Sequence, residues 1–209
     1  MVGDVVASVL PRVTECVVVD DGSGDGTGAA ARAAGALVVT HAVNRGQGAA
    51  LMTGIRCALR RGADIVVTLD ADGQHDPADI RALVAPILAD RADVVLGSRF
   101  LGHAHLIPPM RRRLLRAAVV FTRWSTGLDL TDTHNGFRAL SRRAASAIEL
   151  SQDRMAHASE ILERIAALDL RHVEVPVAIR YTDYSTGKGQ SAWGAFRILV
   201  DLWVSKVLS

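Results

Sequence analysis

The chain has 209 residues, 49% hydrophobic, 22% charged and 4% aromatic, with Lys+Arg 24 against Asp+Glu 22. That apolar share excludes a mainly disordered chain, and the length suits one domain with a sizeable core. A net charge of +2 excludes a general nucleic-acid binder, and no run reaches the ~18–20 apolar residues of a spanning helix.

In chain order, CVVVDD (16–21) reads as a buried strand followed by a Gly-rich turn. An Ala-rich helix then runs to about Ala34, with Gly35 at its C′ position. ALVVTH (36–41) is a second strand, residues 47–61 a helix stopped by Gly62, and DIVVTLDAD (64–72) a third strand. Asp76 fits an N-cap with Pro77 behind it, opening a helix to about Ala89. DVVLGSRF (93–100) is the fourth strand. Continuous Val/Ile/Leu strands joined by helices predict an α/β fold with a mostly parallel sheet covered on both faces.

The second half is less regular. Residues 101–109 read as a loop with His103, His105 and a Pro-Pro pair, and 110–126 as a basic, apolar helix. Helices are expected over 144–150 and 156–168, a strand over 172–181, and a polar loop over 182–191. Cys16 and Cys57 sit in apolar stretches, spaced for neither a metal site nor a disulfide framework. No signal peptide is visible, so the expected location is the cytoplasm.

Ligands of open parallel sheets bind beyond the carboxyl ends of the strands. Three strands end in chemistry: Asp20-Asp21, Asp70-Ala71-Asp72 and Gly97-Ser98-Arg99. In extended geometry Asp70 and Asp72 would point to one side. Their repulsion calls for a divalent cation, and hard oxygen donors suit Mg²⁺ or Mn²⁺ completed by substrate phosphates. Gln74 lies within reach of the same region. A competing reading comes from Gly24-x-Gly26-x-x-Ala29, which formally satisfies a dinucleotide fingerprint, with Arg45 as a 2′-phosphate binder. The electrostatics oppose it, because Asp20 and Asp21 would lie against the pyrophosphate.

Five segments together, VVVDDGSGDGT (17–27), NRGQGAALMTG (44–54), LDADGQHDP (69–77), VLGSRF (95–100) and DTHNGFRAL (132–140), resemble family 2 glycosyltransferases of the GT-A fold. The resemblance is to the dolichyl-phosphate mannose synthase-like, polyprenyl-phosphate branch, and residues 179–191 resemble that branch's later basic loop. It implies that Asp20, Asp21, Arg45 and Asp70 contact the nucleotide, and that Asp70, Asp72 and Gln74 hold the metal. Asp132 and Asp72 become the catalytic carboxylates, with 135–138 lining the sugar and acceptor pocket. Members begin with a strand ending in a Pro-x-Tyr-Asn-Glu-like segment, whereas here Met1 leads directly into a helix. The expectation is therefore a domain over 1–190 lacking its first strand, from a misplaced start or in a degenerate paralogue, followed by an amphipathic helix over 191–209.

The implied reaction is an inverting transfer from a GDP- or UDP-linked sugar. The acceptor decides whether a base is needed. A glycan hydroxyl would need one, and Asp132 is the candidate. A polyprenyl phosphate arrives already charged and needs cations instead, for which Arg99, Arg111, Arg112, Arg113, Arg180 and Lys188 are expected to serve. A third possibility is a non-catalytic binding subunit. In the final helix Arg197, Asp201 and Ser205 form one polar stripe among apolar residues that include Trp193 and Trp203. Such a helix fits a membrane interface, a small membrane partner protein or the domain's own core.

Overall fold

Short valine-rich runs become strands here, several of them set off by a glycine turn such as Gly22, Gly35 or Gly62. The computed structural model describes residues 1–102, 109–133, 135–151 and 157–179, with the backbone alone over 109–115. The first half runs α1 (Val2–Val9), β1 (Val17–Asp20), α2 (Thr27–Ala33), β2 (Leu37–Thr40), α3 (Gln47–Arg60), β3 (Ile65–Thr68), α4 (Ile80–Leu88) and β4 (Val94–Ser98). The second half runs α5 (Pro109–Thr126), β5 (Arg138–Ser141), α6 (Arg142–Ala147), α7 (His157–Ala167) and β6 (His172–Pro176). Gly35 (φ 99°) and Gly62 (φ 90°) end α2 and α3 in the left-handed region, as expected. Asp76 accepts a bond from the Ala78 N–H and opens a 3₁₀ turn (Pro77–Asp79) that runs into α4. The expected helix over 191–209, and the boundary before it, lie outside the described residues.

The sheet departs from the expected pattern in one strand. β1 and β2 pair in parallel, and β4 and β6 do likewise. β5 lies between β3 and β4 and runs antiparallel to both. The sequence Arg-Ala-Leu-Ser carries no β-branched residue and one buried charge, so neither propensity nor alternation marks it as a central strand. Among the described residues the sheet is interrupted between β1 and β3, and α3 packs on both of those strands.

Alternation along β4 divides the core. Val94 and Leu96 join Met52 and Ile55 of α3 and Ile161, Leu162 and Ile165 of α7 on one face. Val95 joins Val9 of α1, Ile80 and Leu83 of α4, and Phe137 on the other. β4 is buried along its whole length, which makes its carboxyl end a rigid support for Ser98 and Arg99.

Candidate active site

The carboxylates at the end of β1 are built into their own loops. Asp20 is buried and accepts the Ser23 N–H at 2.9 Å, while a Cβ at Gly28 would lie 2.5 Å from its Oδ2. Asp21 accepts the N–H groups of Arg45 (2.9 Å) and Gly46 (2.7 Å) and pairs with His41 at 2.6 Å. Burial works against the Asp21 charge, but those two N–H groups and His41 hold its carboxyl below the ordinary range. His41 also reaches Thr53 Oγ1 at 2.9 Å, so one ring ties β1 to α3. The side chain of Arg45 is exposed beside this knot.

The third strand ends earlier than expected. β3 stops at Thr68, whose hydroxyl donates to the Gly136 carbonyl at 2.8 Å, and Gly73 turns the chain with φ 74°. Asp70 and Asp72 therefore lie in a turn, and strand alternation does not govern where they point. Asp72 accepts the Gln74 N–H at 3.0 Å. Asp70 accepts Gln47 Nε2 at 3.1 Å and faces His75 Nε2 at 3.6 Å. Burial raises the Asp70 pKa, yet His75, Arg138 and His157 outweigh it and leave the carboxyl below its ordinary range.

Those residues fit a divalent cation of the Mg²⁺ or Mn²⁺ type. Asp70, Asp72 and Gln74 supply hard oxygen donors within one turn, and Asp70 is held in its charged form. Such ions are commonly bound by one or two carboxylates, with substrate phosphates completing the shell. Among the described residues no cluster of three or more His, Cys, Asp or Glu would hold a metal alone. The glycine at 136 is part of the cradle, because a Cβ there would lie 2.7 Å from Asp70 Oδ2.

Beyond β4 the chemistry changes sign. Arg99 donates to Asp132 Oδ2 through its backbone N–H at 3.1 Å and Nε at 2.6 Å, and the Asp132 side chain is 0% exposed. Glu174 of β6 accepts the N–H groups of Thr131 (2.8 Å) and Asp132 (3.0 Å) and so fixes the segment that presents Asp132. Arg138 is buried on β5 in the field of Asp70 and Asp132; desolvation lowers its pKa and the two carboxylates oppose that shift. It is the electrostatic link between the two halves of the site.

The structure thus sets Arg138 in the field of Asp70, bonds Arg99 to Asp132, and ties Asp21 to the backbone of Arg45. Arg111, Arg112 and Arg113 lie on the described backbone of α5, while their side chains, and Arg180 and Lys188, fall outside the described residues. Gln47, His75 and Glu174 were missed as site residues. The first two stand inside motifs already singled out, NRGQGAA and LDADGQHDP, where their types alone marked them. Glu174 gave no signal beyond one acid in an alternating strand. Among the described residues, His75 Nδ1 and Asn135 Nδ2 are buried without a hydrogen-bond partner.

Known proteins resemble the chain in sequence and in fold. The profile of glycosyl transferase family 2 matches residues 1–148. An uncharacterized protein of Methanocaldococcus jannaschii, MJ1222, is 39% identical over 195 residues, covering 91% of this chain and 80% of its own. A UDP-N-acetylglucosamine–dolichyl-phosphate N-acetylglucosaminyltransferase of Methanococcus voltae is 33% identical over 175 residues, covering 82% and 70%. The glucosyl-3-phosphoglycerate synthase of Mycobacterium tuberculosis, crystallised with Mn²⁺ and UDP-glucose, superposes with a TM-score of 0.68 at 22% identity, covering 96% of this chain and 72% of that one. The last likeness speaks for the fold, and the first three for descent: the chain belongs to glycosyl transferase family 2 and is a glycosyltransferase with a GT-A fold.

Proposed function

We propose that the protein transfers a sugar, with inversion and with the help of a divalent cation, from a nucleotide sugar to a polyprenyl phosphate. The observation that carries the choice of acceptor is the Arg99–Asp132 pair. A general base must reach the proton that it abstracts. The Asp132 carboxylate is fully buried and accepts two bonds from Arg99, so it serves poorly as a base for a glycan hydroxyl. An acceptor that arrives as a phosphate needs no base. It needs a cation held in place, which is what Asp132 does for Arg99. The dolichyl-phosphate relative supports the same acceptor class.

Asp70, Asp72 and Gln74 would hold the ion against the donor's diphosphate, and a bound divalent cation would neutralise charge developing on that leaving group. Asp20 and Asp21 order the loop beside the nucleoside, with Arg45 exposed next to it. Arg99 orients the acceptor phosphate, with Arg111, Arg112, Arg113, Arg180 and Lys188 as further phosphate contacts. Arg138, between Asp70 and Asp132, keeps the two charged centres compatible. Among the described residues no helix is long and apolar enough to cross a membrane, and the acceptor would be met at the membrane surface.

The test is transfer of radiolabelled sugar from GDP-mannose, UDP-N-acetylglucosamine and UDP-glucose, with and without EDTA. Acceptors are undecaprenyl phosphate, dolichyl phosphate and short glycans. Label extracted into organic solvent, lost with EDTA and restored by Mn²⁺ or Mg²⁺, is the expected result. Label found only on glycans would overturn the acceptor assignment. Failure of every nucleoside diphosphate to bind by calorimetry would instead favour a non-catalytic binding subunit.

A further inference from the structure

The carboxyl end of the β1–β2 pair carries a small knot of polar side chains. The parallel register that sets Asp20 beside Thr40 continues by one residue, with the His41 N–H donating to the Asp20 carbonyl at 2.9 Å. His41 therefore comes to lie beside Asp21. Its Nδ1 is 2.6 Å from Asp21 Oδ1 and its Nε2 is 2.9 Å from Thr53 Oγ1 on α3. The His41 side chain is 9% exposed and held at both ring nitrogens. An ionised carboxylate only accepts, so His41 Nδ1 carries the proton of its bond to Asp21.

Asp21 passes this constraint on. It accepts the Arg45 N–H on Oδ1 and the Gly46 N–H on Oδ2, in the turn that opens α3. A helix start has N–H groups without partners inside the helix and favours a negative charge beside it. His41, Arg45 and Gly46 together engage most of the accepting capacity of this carboxylate, so it serves the protein more than a ligand. The turn has little slack, because a Cβ at Gly22 would lie 2.9 Å from the Asn44 nitrogen. The next residue, Gln47, donates to Asp70 Oδ1 at 3.1 Å. Among the described residues none bonds the Arg45 guanidinium, which is exposed beyond the carboxyl end of β2.

We propose that His41 is a positioning residue for the donor: by holding Asp21 it sets the turn over 44–47 and so presents the Arg45 guanidinium to the nucleotide. The inference rests on the nucleotide-sugar reading of this site. Without His41 the Asp21 carboxylate can turn about its Cβ–Cγ bond and release an N–H group. Arg45 then stands on a looser turn, and binding has to order it. The effect falls on donor affinity, since His41 itself touches neither substrate nor metal ligand. A histidine that only stabilised the fold would favour neither amide as its replacement.

The two amides separate these roles. Asparagine places its amide nitrogen near the imidazole Nδ1 and glutamine near Nε2, so H41N keeps a donor for Asp21 while H41Q keeps only the Thr53 side. GDP and UDP, each with Mn²⁺, are titrated into the full chain by calorimetry. H41N should bind within about twofold of wild type. H41Q should bind at least about tenfold more weakly, as expected for the loss of one bond to a charged group. R45M should also weaken binding, and H41Q/R45M should fall no more than about twofold below R45M, because both changes remove one contact. The Arg45 and Gly46 amide protons should lose their downfield resonance positions in H41Q and keep them in H41N. In transfer assays H41Q should raise KM for the nucleotide sugar more than it lowers kcat. Equal affinities of H41N and H41Q, or additive losses in H41Q/R45M, overturn the proposal while the donor reading stands. A wild-type chain that binds neither nucleotide refutes the donor reading itself, and the proposal with it.

Discussion

Gly136 and Asp70 occupy one another's space. A Cβ at 136 would lie 2.7 Å from Asp70 Oδ2 and 3.1 Å from its Cγ, so the missing side chain is what leaves room for the carboxylate. The Gly136 backbone is not in the left-handed region, so alanine brings no backbone strain there. Gly136→Ala should therefore displace Asp70 while sparing the fold. The expected outcome is a melting temperature within about 3 °C of wild type, corresponding to about 1 kcal/mol for a chain of this size. Activity should fall by at least about tenfold, relieved in part by raising Mn²⁺. Unimpaired transfer would show that Asp70 does not need this position.

A second prediction concerns stability at the opposite end of β4. Asp93 is buried and bonded by Arg171 and Arg143. Those bonds, Arg171 first, lower its pKa from the ordinary aspartate value of 3.8 to about 2, although burial opposes them. The folded pKa is depressed, so the stabilisation is complete above the unfolded value and is lost as pH falls through about 2. Both arginines are at least half exposed, and solvent screens them, so the contribution is about 1–2 kcal/mol. Urea titrations at pH 5, 3 and 2 should show that loss in wild type and its absence in Asp93→Asn, which starts from a lower stability.

The helices and most strands were legible because their signals are local. Gly35, Gly62 and the Asp76-Pro77 pair mark ends that depend on their own backbone, and Val94–Ser98 is apolar enough to be a buried strand in any context. β5 was not legible, since its place between β3 and β4 depends on partners distant in sequence. The same holds within the site. Asp70, Asp72, Arg99 and Asp132 stood out by type and motif, but nothing local reveals that Asp132 is committed to Arg99, 33 residues away, or that Glu174 fixes it from 42 residues away. The alternation argument for Asp70 and Asp72 failed because β3 ends at Thr68, where its partner β5 begins.

Arg138 offers a third prediction. It is buried, and its charge helps to keep the Asp70 carboxyl below its ordinary range. Arg138→Met keeps much of the volume and removes the cation. The Asp70 pKa must then rise, so the acid limb of the activity profile should move to higher pH, most visibly at low metal concentration where protons compete for the carboxylate. Arg138→Lys should return the limb toward wild type if the charge is what matters. A limb that stays in place in Arg138→Met would mean that the guanidinium acts on Asp132 alone.

The Arg99–Asp132 pair separates two mechanisms by the size of an effect. Removal of a general base typically costs about 10²–10⁴ in rate. Asp132→Asn keeps an oxygen for the Arg99 N–H groups, and if the carboxylate only positions Arg99 the loss in kcat should stay within about tenfold. The larger change should fall on KM for the polyprenyl phosphate. Asp132→Ala is the harsher variant, because it leaves a buried arginine without this carboxylate and should cost about 3–5 kcal/mol of stability. Kinetics of Asp132→Asn against acceptor concentration, across pH 5.5–9 (roughly the span in which a base of shifted pKa would titrate), decide the matter. A thousandfold fall in kcat together with loss of the acidic limb would make Asp132 a base and move the acceptor assignment to a hydroxyl.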